Sequence, residues 1–206
     1  MKIYDYPGFP NPLRVRMALA EKGMTDQVEF VSVDVPGGEH RGEAFRAKNP
    51  AATVPVLELE DGTTISECTA ITEYIDSVDG EPALTGETPK ERAVVQMMQR
   101  RAEAGLLDAV AAYFHHATPG LGPDIETWQC AEWGEQQGRR AVDGMRYLDG
   151  VLAMQPYLAG ESFSIADITA FAGLAFADFA KIEVPAECTH LAEWRERVSA
   201  RPSASA

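Results

Sequence analysis

The 206-residue sequence is poor in basic residues and has no long apolar segment. Its 18 lysines and arginines stand against 32 aspartates and glutamates, which gives a formal net charge of -14. Because nucleic-acid binding needs clustered lysine and arginine, we expect no nucleic-acid partner. The longest nearly apolar run, Ala170–Ala177, is far shorter than the roughly 20 residues of a membrane-spanning helix. No charged-then-apolar leader opens the sequence, so we expect a cytoplasmic protein without a membrane partner.

Cysteine and histidine are also scarce. Cys68, Cys130 and Cys188 are widely spaced and form no C-x-x-C pair, which argues against zinc binding and against dithiol redox chemistry. His115 and His116 are adjacent, so on a helix they point about 100° apart and cannot bind one metal ion together. We therefore expect no metal site.

The first part of the chain alternates strand and helix patterns. Met1–Tyr6 and Gln27–Val35 have the composition of strands. Between them, Asn11 is a suitable N-cap, Pro12 suits the first helical position, and Gly23 suits the position that follows the last turn. A β-α-β unit is thus predicted at the start of the chain.

Residues 53–75 carry the most informative pattern. Pro55 cannot donate a ladder hydrogen bond, so it is expected at a strand start or edge, and its peptide bond is a candidate for the cis form. Asp61-Gly62 predicts a hairpin turn, after which Glu67 falls at the N-terminus of a helix. A carboxylate there is stabilised by the helix end and can still receive the ammonium group of a ligand. With the β-α-β unit, this pattern predicts an α/β thioredoxin-like domain over residues 1–79.

The rest of the chain has helical patterns. Residues 80–88 are predicted to be a linker, and residues 89–206 an all-α domain. A stripe of apolar residues that steps by four predicts one long helix that ends before Thr118, with Val94, Met98, Ala102, Leu106, Val110 and Phe114 in the stripe. A second long helix is predicted over Asp124–Met154, and four glycines permit close helix crossings there: Gly134, Gly138, Gly144 and Gly150.

Two further helices are predicted toward the C-terminus. Ser164 and Asp167 have the spacing of a variant capping box, which predicts the start of a buried helix over Ile165–Phe179. A last helix is predicted over Ala186–Ala200. The small polar tail Ser203–Ala206 is expected to fray.

Five segments, in this order, resemble the glutathione S-transferase family. The sequence is most similar to a non-classical, theta-like branch known from fungi and bacteria, and the resemblance covers essentially the whole chain. The segments are Ile3–Asp5, Val15–Lys22, Thr53–Ile75, Tyr113–Pro123 and Ser164–Asp167. The resemblance implies a thioredoxin-like glutathione-binding domain followed by an all-α domain, glutathione as co-substrate, and a homodimer.

The resemblance also implies which residues bind glutathione. His40 and Arg41 would meet the glycyl carboxylate. The Val54 backbone would pair with the cysteinyl unit, and Glu67 would take the γ-glutamyl ammonium. The family's usual serine after this glutamate is Cys68 here, and a thiol is a weaker donor to the γ-glutamyl carboxylate than a hydroxyl. The complete expected set is Pro10, Asn11, His40, Arg41, Thr53, Val54, Pro55, Glu67 and Cys68.

The hydroxyl or thiol that most family members use to activate glutathione is missing. Residues 7–24 contain no Ser, Thr, Cys or Tyr, yet a thiol of pKa about 8.5 must lose roughly two units to be mostly ionised near neutrality. A helix N-terminus supplies about 0.3–1 kcal/mol, or up to about 2 kcal/mol when partly buried, so a further hydrogen bond is required. The candidates are the Asn11 amide, a hydroxyl from Tyr4 or Tyr6, and a water held by a group on the long helix such as His116.

The expected function is a glutathione transferase that joins the glutathione thiolate to a small hydrophobic electrophile. By resemblance, the electrophile pocket would involve Phe9, Tyr113, His115, His116 and Leu121. Two alternatives remain open. One is a non-enzymatic glutathione-binding or interaction protein of the same fold. The other is a glutathione-dependent isomerase, dehalogenase or peroxidase.

Overall fold

A computed structural model describes every residue of the chain, Met1–Ala206. A four-stranded sheet with helices forms the first part, and the second part is entirely helical. The strands are β1 (Lys2–Asp5), β2 (Glu29–Ser32), β3 (Val56–Glu58) and β4 (Thr64–Ser66). The helices are α1 (Pro10–Glu21), α2 (Glu43–Arg46), α3 (Cys68–Ser77), α4 (Pro89–Ala102), α5 (Asp108–Ala117), α6 (Ala131–Leu152), α7 (Ile165–Ala180) and α8 (Thr189–Ser199). This confirms the predicted fold class.

The sheet has the order β2-β1-β3-β4. β1 is parallel to β2, with Ile3 opposite Phe30, and antiparallel to β3, with Ile3 opposite Leu57. β4 closes the hairpin antiparallel to β3. Ile3 and Leu57 are fully buried and pack with apolar residues of α1 and α3. The Val54-Pro55 peptide bond is cis, and it lies where the chain enters β3.

The predicted long helix of the second part contains a π-turn. α4 and α5 are joined without a break by a π-helical segment at Glu103–Leu107. An apolar stripe that steps by four residues drifts about 40° per step around a regular α-helix. The wider π-turn, which bonds i to i+5, offsets part of this drift, and Leu106, Val110 and Phe114 all reach the same buried core.

The helix predicted over Asp124–Met154 is shorter at its start. α6 begins at Ala131, and the segment 118–130 is irregular. Side chains stabilise this segment instead of helical hydrogen bonds: Glu126 accepts from the Leu121 N–H, and Gln129 donates to the carbonyl oxygens of His115 and Thr118. The glycines and prolines before Asp124 favour such a turn-rich path.

The C-terminal tail is ordered, so the prediction that it frays was wrong. Pro202–Ser205 form a 3-10 turn, and Ser203 is buried. Arg201 forms a bidentate ion pair with Glu21 of α1, at 2.8 and 2.7 Å, and Ser203 also hydrogen-bonds Glu21. A half-buried carboxylate with three donors gives the tail a fixed docking point.

The segment between α3 and α4 is held by one buried side chain. The Asp76 carboxylate accepts hydrogen bonds from the Ala83, Leu84 and Thr85 N–H groups and from the Thr85 hydroxyl.

None of the helices combines the length and the apolar content that crossing a bilayer requires.

Candidate active site

A cavity of about 440 Å³ lies between the start of α1 and one face each of α5 and α7. The start of α1 contributes Phe9, Pro10 and Asn11 to its wall. Val54, which precedes the cis bond, also lines the cavity. The cavity therefore joins the end of the sheet to the helical part of the chain.

Helix α1 begins two residues earlier than predicted. Phe9 is the N-cap residue and Pro10 occupies the first helical position, so Asn11 is not the N-cap. Proline at position 10 has the fixed φ that a first helical residue needs. Asn11 instead lies in the first turn, exposed to the cavity, and its Oδ1 accepts a hydrogen bond from Arg14 Nη1 at 3.0 Å. Its amide nitrogen donates to no group in the chain.

The two prolines leave one backbone donor at this helix end. Pro10 and Pro12 carry no N–H, and the Phe9 N–H is bonded to the Tyr6 carbonyl oxygen at 3.3 Å. The Leu13 N–H closes the first turn on the Phe9 carbonyl oxygen at 3.0 Å. The Asn11 N–H has no partner within the chain, so it is the donor that this helix end offers to a ligand.

Arg14 fixes the orientation of the Asn11 side chain by donating a hydrogen bond to its Oδ1. Its side chain is only 4% exposed, and besides Asn11 it binds Glu103 across the domain boundary, with Nη2 to Oε1 at 2.9 Å. Arg16, two residues further along α1, pairs instead with Asp5 inside the first part of the chain at 2.7 Å. Arg14 thereby connects the start of α1 to the π-turn.

Neither tyrosine of the first strand reaches the cavity. Tyr4 donates its hydroxyl to Glu58 at 2.9 Å on the sheet. Tyr6 packs edge-on against Phe9, with ring centroids 4.8 Å apart, and is not part of the cavity wall. Of the protein groups considered for the thiol, Asn11 is the one that lines the cavity.

The backbone before the cis bond is free to pair with an extended ligand. The Val54 N–H and carbonyl oxygen have no partner in the chain. Asn49, a buried residue that the sequence did not single out, donates to the Thr53 carbonyl oxygen at 2.8 Å and to its hydroxyl at 3.0 Å. Asn49 thus holds Thr53 and leaves the Val54 edge open.

Glu67 and Cys68 lie at the start of α3, as predicted. Glu67 is the N-cap with a φ of 69°, a conformation that non-glycine residues rarely adopt, and its exposed carboxylate borders a second groove of about 560 Å³ with Thr69 and Arg92. The Cys68 thiol does not face this groove, contrary to prediction. It points to the Asn11 carbonyl oxygen at 3.4 Å, and burial raises its pKa to about 11. The first N–H groups of α3 remain free for a carboxylate.

His40 and Arg41 lie in a 3-10 turn apart from the cavity. His40 is buried, its Nδ1 has no partner, and burial together with Arg41 and Arg46 lowers its pKa. A neutral His40 imidazole can still donate one hydrogen bond to a ligand. Of the two residues, Arg41 is the one that carries a positive charge. Arg41 is exposed and donates to the Ile125 carbonyl oxygen at 2.9 Å, which links this turn to the segment before α6.

Only part of the predicted electrophile pocket lines the cavity. Phe9, His115 and Leu121 do so, whereas Tyr113 and His116 do not. Successive helical residues point about 100° apart, so His116 points away from the cavity that His115 and Phe114 line. His116 packs edge-on against Trp128 and accepts a hydrogen bond from the Cys130 N–H at 3.2 Å, and Tyr113 faces α6.

The sequence reasoning missed the opposite wall of the cavity. Phe114, Phe176 and Phe179 form an aromatic cluster, with ring centroids 5.4 Å apart for the first two. Asp108, at the start of α5, is a carboxylate in the same wall. The proximity of Phe176 and Phe179 to α5 depends on how α7 packs, and no local pattern in the sequence indicates it.

Two family models match the chain. The model described as the glutathione S-transferase N-terminal domain matches residues 10–78, and the model of the C-terminal domain matches residues 134–202.

Known proteins are similar over nearly the whole length. "Glutathione S-transferase 2" of Saccharomyces cerevisiae is 58% identical over 98% of this chain and 87% of its own length. The crystal structure of Gtt2 from the same yeast has a TM-score of 0.98 at 57% identity and covers 100% of this chain and 99% of that one. A glutathione S-transferase domain-containing protein of Marinobacter aquaeolei has a TM-score of 0.97 at 66% identity, over 98% of this chain and 99% of that one.

A more distant relative has a different printed name. A "Maleylacetoacetate isomerase" of Pseudomonas aeruginosa is 31% identical over 82% of this chain and 77% of its own length.

Proposed function

Because the chain belongs to the glutathione S-transferase family, we propose that its chemistry takes place in the cavity between α1 and α5. The protein is a transferase that uses glutathione as its co-substrate and conjugates it to electrophiles. The observation that carries the proposed location is the pair of prolines, Pro10 and Pro12, which leave the Asn11 N–H as the free donor of an exposed helix end beside an apolar cavity.

In this proposal, thiolate activation occurs at Asn11. The glutathione sulfur accepts from the Asn11 N–H and from its side-chain amide nitrogen, whose orientation Arg14 fixes through Oδ1. The α1 dipole contributes about 0.3–1 kcal/mol, and a hydrogen bond to a charged group about 1.5–3 kcal/mol, which together approach the roughly 2.7 kcal/mol that a two-unit pKa decrease requires. A water held by His115, which lines the cavity in place of His116, is the remaining candidate.

The rest of glutathione extends from this point in two directions. The cysteinyl backbone pairs with the free Val54 edge, next to Thr53 and Pro55. The γ-glutamyl ammonium binds the Glu67 carboxylate, and its carboxylate meets the free N–H groups at Cys68 and Thr69. The glycyl carboxylate binds Arg41, with His40 as a neutral donor.

We further propose the coarse organisation of the protein. Residues 1–79 form the glutathione-binding domain, residues 80–88 the linker, and residues 89–206 the helical domain.

The protein is a cytoplasmic homodimer, which its membership in the family supports. Met97, an exposed apolar residue of α4, is placed to contribute to such an interface. Sedimentation velocity tests the dimer, because a species of single-chain mass at micromolar concentration would contradict it.

The decisive experiment is a pH titration of the ultraviolet thiolate absorbance of bound glutathione. We expect a bound pKa well below that of free glutathione. Asn11→Ala keeps the backbone N–H and removes the amide, so it separates the two donors. Asn11→Pro removes both, and a proline in the first turn of a helix is tolerated. A bound pKa that equals the free value in the wild type would contradict the proposed activation and favour a non-enzymatic binding protein.

One relative supports a second candidate function. The similarity to a protein named maleylacetoacetate isomerase favours a glutathione-dependent isomerase, which needs the same thiolate. Regeneration of free glutathione after turnover of a cis-alkene substrate, without a stable conjugate, would identify it. Accumulation of a stable conjugate would identify the transferase reaction.

A further inference from the structure

The electrophile side of the cavity combines an aromatic wall with one carboxylate. Phe114, Phe176 and Phe179 lie with ring centroids 5.4 Å, 5.6 Å and 6.4 Å apart in the three pairs. Rings at these distances and tilts offer edges and faces to a further flat ring. The wall therefore suits an aromatic or otherwise planar ligand.

The polar groups of the cavity wall are few. Asn11 and Val54 belong to the proposed glutathione side. On the side of α5, the polar residues are Asp108 and His115, seven residues and thus two turns apart on one face of the helix. His115 Nδ1 is already bonded to Glu126 Oε1 at 2.7 Å. The Nε2 atom of His115 is left for a ligand or a water, and Asp108 is the one carboxylate in the cavity wall.

The carboxylate of Asp108 is held in place by a chain of ion pairs. Arg100 Nη1 contacts Glu103 at 3.2 Å and Asp108 at 3.5 Å, and Glu103 accepts from the buried Arg14. In a regular α-helix, residues 103 and 108 would point about 140° apart. The π-turn between them bonds i to i+5 and brings Asp108 round toward Glu103, within reach of the same arginine.

We propose that Asp108 is a specificity-determining residue, which makes the cavity select aromatic electrophiles that carry a cationic or hydrogen-bond-donating substituent and disfavour those that carry a carboxylate. This rests on the proposed function of the cavity. The Asp108 side chain is half-exposed at the cavity wall, and its carboxylate attracts a ligand cation and repels a ligand carboxylate there. It takes no part in the bond changes.

A matched set of aryl chlorides tests the proposal at pH 7.5. All share a chlorine flanked by two nitro groups. The glutathione thiolate attacks the ring carbon, the C–S bond forms, the C–Cl bond breaks, and chloride leaves with the electron pair. The substituent opposite the chlorine is a carboxylate, a neutral carboxamide, or a carboxamide that carries a trimethylammonioethyl group. Each kcat/KM is divided by the uncatalysed rate constant with glutathione, which removes the electronic effect of the substituent.

The comparison uses two variants that each remove one surface carboxylate paired with an arginine. Asp108→Asn acts in the cavity. Asp143→Asn is the control, because Asp143 pairs with Arg146 on α6, away from the cavity. Both change the net charge from -14 to -13. We expect the wild type to prefer the cation over the anion about tenfold, Asp108→Asn to lower this ratio about three- to tenfold, and Asp143→Asn to keep it.

The proposal would be overturned if the ratio of kcat/KM for the cationic over the anionic substrate were equal in the wild type and Asp108→Asn, or if the wild type preferred the anion. In either case the turnover itself would still support a transferase. Analogues with a methyl group in place of chlorine cannot react and report binding alone by calorimetry. If no electrophile is turned over, the transferase proposal for this cavity fails. In that case a cation preference in binding that Asp108→Asn removes supports the role of Asp108, and its absence overturns it.

Discussion

Gly144 of α6 lies directly against the backbone of Gly105 in the π-turn. A Cβ built on Gly144 would fall 2.2 Å from the Gly105 carbonyl oxygen, a distance that no packed pair of atoms adopts. The two helical segments can approach this closely only because Gly144 lacks a side chain; a Cβ on Gly105 would make an ordinary contact, 4.0 Å from the Gly144 Cα. The π-turn that precedes Asp108 is therefore supported by a backbone-to-backbone contact with α6.

Gly144→Ala is expected to destabilise the protein strongly. The new methyl group must push α6 away from the π-turn, and overpacking of this kind costs about 1–3 kcal/mol or more. The free energy of unfolding from urea titrations measures the effect. Gly150→Ala is the matched control on the same helix, since a Cβ there meets nothing within 4 Å. It should gain about 0.5–1 kcal/mol from helix propensity, and equal effects of the two changes would contradict the packing argument.

Asp76→Asn is expected to loosen the connection between the two domains. The fully buried carboxylate serves three N–H groups and one hydroxyl. An amide has one acceptor oxygen, and its NH₂ would face donors. We expect the free energy of unfolding to fall by about 3 kcal/mol. Hydrogen exchange of the amides of residues 83–85 should accelerate as well.

Asp26→Asn is the control for this change, because Asp26 is exposed and has no hydrogen-bond partner in the chain. If Asp26→Asn lowered the free energy of unfolding as much as Asp76→Asn, the hydrogen bonds accepted by the Asp76 carboxylate would not be the cause of the loss.

The ion pair between Glu21 and the C-terminal tail should make stability depend on pH. The Arg201 hydrogen bond, opposed by burial and aided by Ser203, lowers the pKa of Glu21 from its ordinary 4.5. A carboxyl whose pKa is lower in the folded state stabilises that state above the unfolded pKa, and this stabilisation is lost as the pH falls through the folded pKa. Glu21→Gln should thus cost about 1–3 kcal/mol at pH 7, and the difference from the wild type should shrink below about pH 4.5. A difference that stays constant from pH 7 to pH 3 would contradict the assignment.

The three cysteines should react at different rates with iodoacetamide at pH 7.5. Burial raises the pKa of Cys68 to about 11 and also raises the pKa of Cys188, and both residues are buried. The thiolate is the nucleophile, so both should stay unlabelled in the native protein. Cys130, half-buried before α6, should be labelled first. Mass spectrometry of peptides reports this, with denatured protein as the control in which all three react. Rapid labelling of Cys68 would contradict its orientation toward Asn11.

The sequence predicted the first part of the fold well because its signals are local. Proline, an Asp-Gly turn and a carboxylate before an apolar helix each restrict the backbone within a few residues. The start of α1 shows the precision of such signals. Both Asn11 with Pro12 and Phe9 with Pro10 are acceptable helix starts, and the structure uses the earlier proline.

Other features were outside the reach of local patterns. The tail was expected to fray from its composition, but Glu21, about 180 residues earlier in the chain, binds it. The family resemblance placed both His115 and His116 in the electrophile pocket, yet which histidine lines the cavity depends on the rotation of α5.

By itself, the sequence determined the order of strands and helices, the open Val54 edge before a proline, and the carboxylate at the start of α3, because each depends on backbone preferences within one short segment. Only the tertiary structure decided that Asn11 is held by Arg14, that His115 and not His116 faces the cavity, and that Asp108 shares a wall with Phe176 and Phe179. These relationships arise from the packing of α1, α5 and α7, which are distant in sequence. The rotation of a helix about its axis is set by the buried contacts it makes with its neighbours and not by its own residues alone.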